Sequence, residues 1–184
     1  MKIPAEHAER MLTVPSLRTG FRILGLDPGL NTTGYAVIEA GAQKPIVCEA
    51  GVIRGSEDGK SKDLAGRIHE VYSSILTIMD HFGPQVIAVE QLYAHYNHPR
   101  TAILMAHARG VIFLAAAQRD LPVASYNATR VKKTITGSGR APKEQVQRTI
   151  QRELGLPRLP QPPDVADALA IALCHYYLQR LPTS

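Results

Sequence analysis

The chain reads as an α/β protein built on a five-stranded mixed sheet flanked by helices on both faces, and three observations predict this class. Apolar runs at residues 21–27, 34–40 and 46–54 follow one another with short links, the pattern of an antiparallel meander. Two further strand-length runs, 85–90 and 121–126, are each preceded by a long helical pattern, and a strand that returns parallel to its neighbour needs such a crossover. The run Val86-Ile87-Ala88-Val89 is also continuously apolar, as a strand covered on both faces is.

Residues 1–20 carry Pro4, Pro15 and Gly20 around one short helical pattern and are expected to be a weakly ordered N-terminal extension; residues 21–184 are expected to form a single domain. Phe21 to Leu26 is a strand delivering Asp27 to Pro28-Gly29. Proline fixes its own φ and pushes the preceding residue toward an extended conformation, so Asp27 ends the strand and a turn follows. From Ser61 or Lys62 to Phe82, Leu64, Ile68, Val71, Ile75, Met79 and Phe82 recur at spacings of three and four, an amphipathic helix stopped by Gly83-Pro84. Strand 85–90 ends on Glu90, and a polar loop runs to Pro99.

Residues 101–119 read as an Ala-rich helix, core or an oligomer face, whose Gly110 permits a second backbone to approach. After the fifth strand come a short helix at 129–135, a flexible Gly137-Ser138-Gly139 turn and a helix at 143–154. Pro157, Pro160, Pro162 and Pro163 bar helix from the linker. The final helix spans 164–178.

Composition excludes several classes. With 184 residues, 45% hydrophobic and 20% charged, the chain can bury a sizeable core without disulfides or structural metal. Its apolar runs fall short of the roughly 20 residues of a membrane span, so a soluble protein is expected. The chain opens without the pattern of a secretory signal, which points to the cytoplasm. Cys48 and Cys174 lack C-x-x-C partners and are expected to be buried free thiols in a reducing compartment.

Charge is unevenly placed. Residues 126–160 hold eight basic side chains, Arg130, Lys132, Lys133, Arg140, Lys143, Arg148, Arg152 and Arg158, against Glu144 and Glu153, whereas residues 23–125 hold eight basic and ten acidic groups. A one-sided positive field suits a polyanion, although a solvated helical face has the same composition.

Four acids sit at the ends of elements. Asp27 and Glu90 each close an apolar strand; if those strands are parallel neighbours, both emerge at the carboxyl edge of the sheet, where ligand sites favour forming. Asp164 and Asp167, at i and i+3, share a face at the start of the last helix. Each has a structural alternative: Asp27 can merely start a turn, and Asp164 with Asp167 resembles a helix-capping pair. Brought together, four carboxylates repel unless cations neutralise them, and a hard oxygen donor set selects Mg2+ or Mn2+. Two such ions activate a water and stabilise the leaving oxygen of a phosphodiester.

Gly25-Leu26-Asp27-Pro28-Gly29 with Thr33-Gly34-Tyr35, then Val89-Glu90-Gln91, then Asp164-Val165-Ala166-Asp167-Ala168-Leu169-Ala170 resemble, in order, spacing and flanking residues, the three acidic motifs of the RuvC Holliday junction resolvases. The likeness spans about Phe21 to Leu178. It implies a ribonuclease H-like fold, a homodimer, two divalent ions per site, Asp27, Glu90, Asp164 and Asp167 as the acidic tetrad, and cleavage of four-way DNA junctions in recombination and repair. It also places Lys132 and Lys143 at positions where the family holds the scissile phosphate, with Lys133 adjacent. Tyr93 falls where relatives commonly carry Phe in a loop that reaches the junction centre, and its ring keeps the face needed to stack on bases. Arg130 and Arg140 join the DNA-binding candidates from the basic segment.

His95 and His98 lack further metal-ligand company, which excludes a zinc site. The resemblance further implies symmetric cuts leaving 5′-phosphate ends, and branch-migration partners of the RuvA and RuvB type. A junction-binding scaffold without cleavage, and a nuclease of the same fold acting on RNA, are the alternative readings. A sugar-kinase or actin-type ATPase fits poorly, because the second phosphate loop and the adenosine pocket it needs do not appear in the sequence.

Overall fold

The computed structural model describes residues 18–55, 63–92 and 99–180. Its elements are β1 (Arg22–Asp27), β2 (Thr32–Ala40), β3 (Pro45–Arg54), α1 (Leu64–Phe82), β4 (Val86–Glu90), α2 (Pro99–Gln118), β5 (Val123–Tyr126), α3 (Ala128–Thr136), α4 (Lys143–Leu154) and α5 (Pro163–Arg180). The five strands form one sheet in the order β3-β2-β1-β4-β5. β1 with β2 and β2 with β3 are antiparallel, while β4 runs parallel to both β1 and β5. The predicted meander, the two crossovers through α1 and α2, and the ribonuclease H-like arrangement are all present.

Successive strand residues face opposite sides, and the two cores follow that alternation. Ile23 of β1 and Val86 and Ala88 of β4 face one core, built largely by α5 with α3 and α4. Leu24, Leu26, Ile87 and Val89 face the other, built by α1 and α2. Asp27 and Glu90 therefore share the α5 face of the sheet. α5 is buried nearly all round, from Val165 to Tyr176, because it lies against the sheet and is covered in turn by α3 and α4.

Local chemistry sets most boundaries. Asp63 caps α1 by accepting from the Gly66 N–H at 2.7 Å, and Asn127 caps α3 by accepting from the Arg130 N–H at 2.7 Å. Gly83 and Gly137 close the same two helices in the left-handed region, as glycine does best.

Several expectations are corrected. Pro163 does not bar the helix: it is the first residue of α5, where a missing N–H costs nothing. Asp164 is consequently inside the first turn rather than at the capping position, so the capping reading fails for it. Cys48 is exposed and only Cys174 is buried, because Cys48 lies on the outer strand of the sheet. Just before β1 the Gly20 N–H donates to the Ala40 carbonyl at 2.9 Å; residues 1–17, the rest of the expected extension, lie outside the described residues.

α2 also departs from expectation. Its Arg100–Gln118 stretch is long and apolar enough by length and composition to cross a membrane, although only 22% of that window is buried. The reason is that it is apolar on two faces. Ala108, Ile112, Ala115 and Ala116 pack inward against α1 and the sheet, while Ile103, Phe113 and Leu114 are exposed. Gly110 sits on that outer face, with nothing among the described residues within 4 Å of where a Cβ would stand.

Candidate active site

The register of β1 and β4 carries the first half of the site. Leu26 pairs with Val89 in the parallel ladder, so Asp27 and Glu90, one residue on, emerge side by side at the carboxyl edge. Across β1, Asp27 stands opposite Gly34. That glycine admits the second half: a Cβ there would lie 2.1 Å from the Asp164 carbonyl oxygen. Gly25, two residues before Asp27 and on the same face, plays the matching part, since its Cβ would meet the Ala168 carbonyl at 2.4 Å. These two bare positions let α5 lie close to β1 and β2 with Asp164 and Asp167 over the strand-end acids.

The electrostatics record the crowding. Asp27 is pushed up to about 8, first by burial, then by the charges of Glu90 and Asp167, with Asp164 adding to them. Glu90 is also raised, burial outweighing the help it receives from its hydrogen bond to Asp27 and from Lys143 and Lys132. Burial and their mutual proximity push both carboxyls upward, Asp27 the further of the two. Burying two acids with their charges aimed at each other is costly in a metal-free protein, and a cation removes that cost.

The cationic rim comes from α3 and α4. Lys143 Nζ lies 3.3 Å from Asp167 Oδ2, and the neighbouring acid raises its pKa. Lys132 and Lys143 line a small cavity of about 50 Å3 together with Glu90 and Asp167. Lys133 points elsewhere: it lines a separate cleft of about 520 Å3 with Arg130, Tyr177 and Arg180. Arg140 is exposed at the α3–α4 turn. Tyr93, together with His95, Tyr96 and His98, lies outside the described residues.

Among the described residues no group of three or more acidic, histidine or cysteine side chains is drawn together closely enough to hold a metal ion as it stands. The donor set nevertheless fits hard divalent ions, which keep several waters and take one or two carboxylates each, and the raised Asp27 marks a cluster short of positive charge. Sequence reasoning placed Gly25, Thr33 and Gly34 in the motifs without giving them a role, and did not single out Tyr126 or His175. Gly25 and Gly34 carried a signal, a small residue beside the acid on the same strand face or directly across the ladder. Thr33 is fully buried, and its hydroxyl donates to the Gly29 carbonyl at 2.6 Å, fixing the turn after Asp27. The Tyr126 hydroxyl meets buried His175 Nδ1 at 2.7 Å, bracing α5 against the strand next to Glu90.

Comparison with known proteins agrees with this geometry. The family model described as crossover junction endodeoxyribonuclease RuvC matches residues 23–175. The chain is 50% identical over 160 residues to a crossover junction endodeoxyribonuclease RuvC of Rhodopirellula baltica, covering 87% of this chain and 88% of the relative. It is 44% identical over 153 residues to that of Moorella thermoacetica, covering 83% and 89%. Among solved structures, Thermus thermophilus RuvC in complex with a Holliday junction substrate superposes with a TM-score of 0.78 at 30% identity, covering 87% of this chain and 95% of that one. A carboxylate cluster at the carboxyl edge of a ribonuclease H-like sheet, a basic rim and matches over most of the chain agree: the chain belongs to the RuvC family of crossover junction endodeoxyribonucleases, the Holliday junction resolvases.

Proposed function

We propose that the chain resolves Holliday junctions by hydrolysing one phosphodiester in each of two opposed strands, with Asp27, Glu90, Asp164 and Asp167 holding two Mg2+ or Mn2+ ions. The observation that carries the reading is the meeting of the Asp27–Glu90 pair with the two acids of α5 beneath the Lys132–Lys143 rim. When bound, the ions supply an activated water and charge for the leaving oxygen. Asp27 and Glu90 would have to be ionised to hold the ions. Lys132 and Lys143 draw the scissile phosphate toward the acids and offset its developing charge. Arg130, Lys133 and Arg140 extend the positive surface along the flanking DNA, and Tyr93 stacks on bases near the crossover.

Two opposed cuts need two sites. The outer face of α2, with Ile103 58% exposed, Phe113 37% and Leu114 51% around Gly110, suits a twofold contact with a second copy, because bare glycine lets two helices approach. Residues 21–184 then act as one nuclease domain preceded by an extension. The enzyme works in the bacterial cytoplasm beside branch-migration proteins of the RuvA and RuvB type.

The test is a labelled mobile four-way junction incubated with Mg2+ or Mn2+ beside linear duplex. Paired nicks on the junction, lost in Asp27→Asn and Glu90→Gln while binding persists, are expected. Undiminished cutting by Asp27→Asn overturns the site, and binding without cutting under either metal favours a scaffold.

A further inference from the structure

The two sides of the carboxylate cluster differ in chemistry. Toward α3 and α4 the acids meet Lys132 and Lys143, a setting for phosphate. Toward α2 they open into a groove of about 330 Å3 that begins at Asp27 and Asp164 and runs between the β1–β2 turn and the first turns of α2. Among the described residues no lysine or arginine lines this groove. Leu30, 2% exposed, lies beneath it, Leu104 and Met105 form its apolar wall, and Asn31 and Thr101 bring polar groups to it. Beyond the acids that would hold the ions, the groove's described walls offer a phosphate no basic side chain. A nucleobase has the complementary chemistry, an apolar face and a polar edge, and the volume is at the small end of ligand sites, suited to one base rather than two.

The turn wall is held before anything binds. The Thr33 hydroxyl donates to the Gly29 carbonyl at 2.6 Å, the Gly55 N–H donates to the Asn31 carbonyl at 3.1 Å, and the Arg67 guanidinium donates to Asn31 Oδ1. The opposite wall contributes Met105, an unbranched and polarizable side chain that adapts to flat surfaces. A rigid polar edge facing an adaptable apolar face discriminates between bases through the polar edge while accepting any base's π-face.

We propose that this groove receives the base of a nucleotide adjoining the scissile phosphate, and that Met105 and Thr101 help to set the sequence at which a junction is cut. The proposal rests on the junction-cutting reading of the neighbouring acids. It makes the metal site the meeting point of two recognitions: phosphate on the lysine side and base on the α2 side.

The experiment offers a pool of mobile junctions with randomised bases around the crossover to wild type, Met105→Ala, Thr101→Val and, as a remote surface control, Ile46→Ala, in Mg2+ and in Mn2+. Nick positions are read by sequencing, and melting curves establish that each variant is folded. Wild type and Ile46→Ala are expected to share one base preference beside the cut. Met105→Ala and Thr101→Val are expected to keep cutting, with that preference changed by about tenfold at one flanking position and unchanged elsewhere. Wild-type cutting with equal use of all flanking bases, or a preference that both variants retain, overturns the groove assignment while leaving the nuclease reading intact. Wild type that binds the pool and cuts nothing overturns both.

Discussion

Asp27 holds its proton up to about pH 8 in the metal-free protein, chiefly because it is buried and then because Glu90 and Asp167 stand beside it. An acid whose folded pKa is raised binds more protons in the folded than in the unfolded state across the interval between the two values. Stability therefore falls as pH rises from about 4 to 8. Thermal melts in chelator are expected to show that decline, and Asp27→Asn is expected to flatten it and raise the melting temperature at pH 8. Metal binding requires the acids to ionise, so the rise in melting temperature on adding Mg2+ should be larger at pH 8.5 than at pH 6, each on the order of a few degrees or more. A larger shift at the lower pH would show that Asp27 is not a ligand. For the rim, Lys143→Ala is expected to slow junction cutting on the order of 10²-fold. Its effect on binding should be small, because Lys143 is largely exposed and its partner is Asp167; single-turnover rates beside gel-shift titrations separate the two.

At the scale of elements, the site depends on how closely α5 crosses β1 and β2. Gly34→Ala places a Cβ 2.1 Å from the Asp164 carbonyl, and backbone cannot give as a flexible side chain can. The helix start must move, at a cost of about 1–3 kcal/mol. Calorimetry is expected to show the lower stability, and cleavage is expected to fall far more than junction binding. The strand ends were legible in the sequence, because Asp-Pro-Gly and the apolar runs before Asp27 and Glu90 are local signals. The start of α5 was legible to within one residue, 164 against Pro163; what the sequence did not show is that Pro163 itself is the first helical residue, because proline reads as a breaker unless it is known to stand in the first turn. The tight crossing was equally hidden, since a glycine in a strand does not say which backbone approaches it.

Among the described residues, the four acids gather at one sheet edge and the outer face of α2 is left uncovered. Leu114→Asp puts a charge into that face, where Leu114 is 51% exposed, and leaves the inner packing of Ile112 and Ala115 untouched. Sedimentation is expected to give a dimer for wild type and a monomer for the variant, and the variant should produce unpaired nicks. Paired cutting by a monomeric variant would separate cleavage from this face. The sequence hinted at the face through Gly110 but could not distinguish it from core, because the helix is apolar on both sides and periodicity then carries no direction.

The sequence by itself determined the class of the fold, the four acids at element ends, the basic segment after β5 and the family they resemble. All are matters of local pattern, where a residue's type and its neighbours suffice. Only the tertiary structure decided that Gly25 and Gly34 admit α5, that burial and neighbouring charge raise Asp27 and Glu90, and that a groove lined by no basic side chain among the described residues opens toward Met105. Each of those depends on which atoms from distant parts of the chain come within a few ångströms, and burial and Coulomb interactions act on distance in space rather than along the chain. Asp27 is written in the sequence as the end of a strand; its chemistry comes from Glu90 beside it and α5 above.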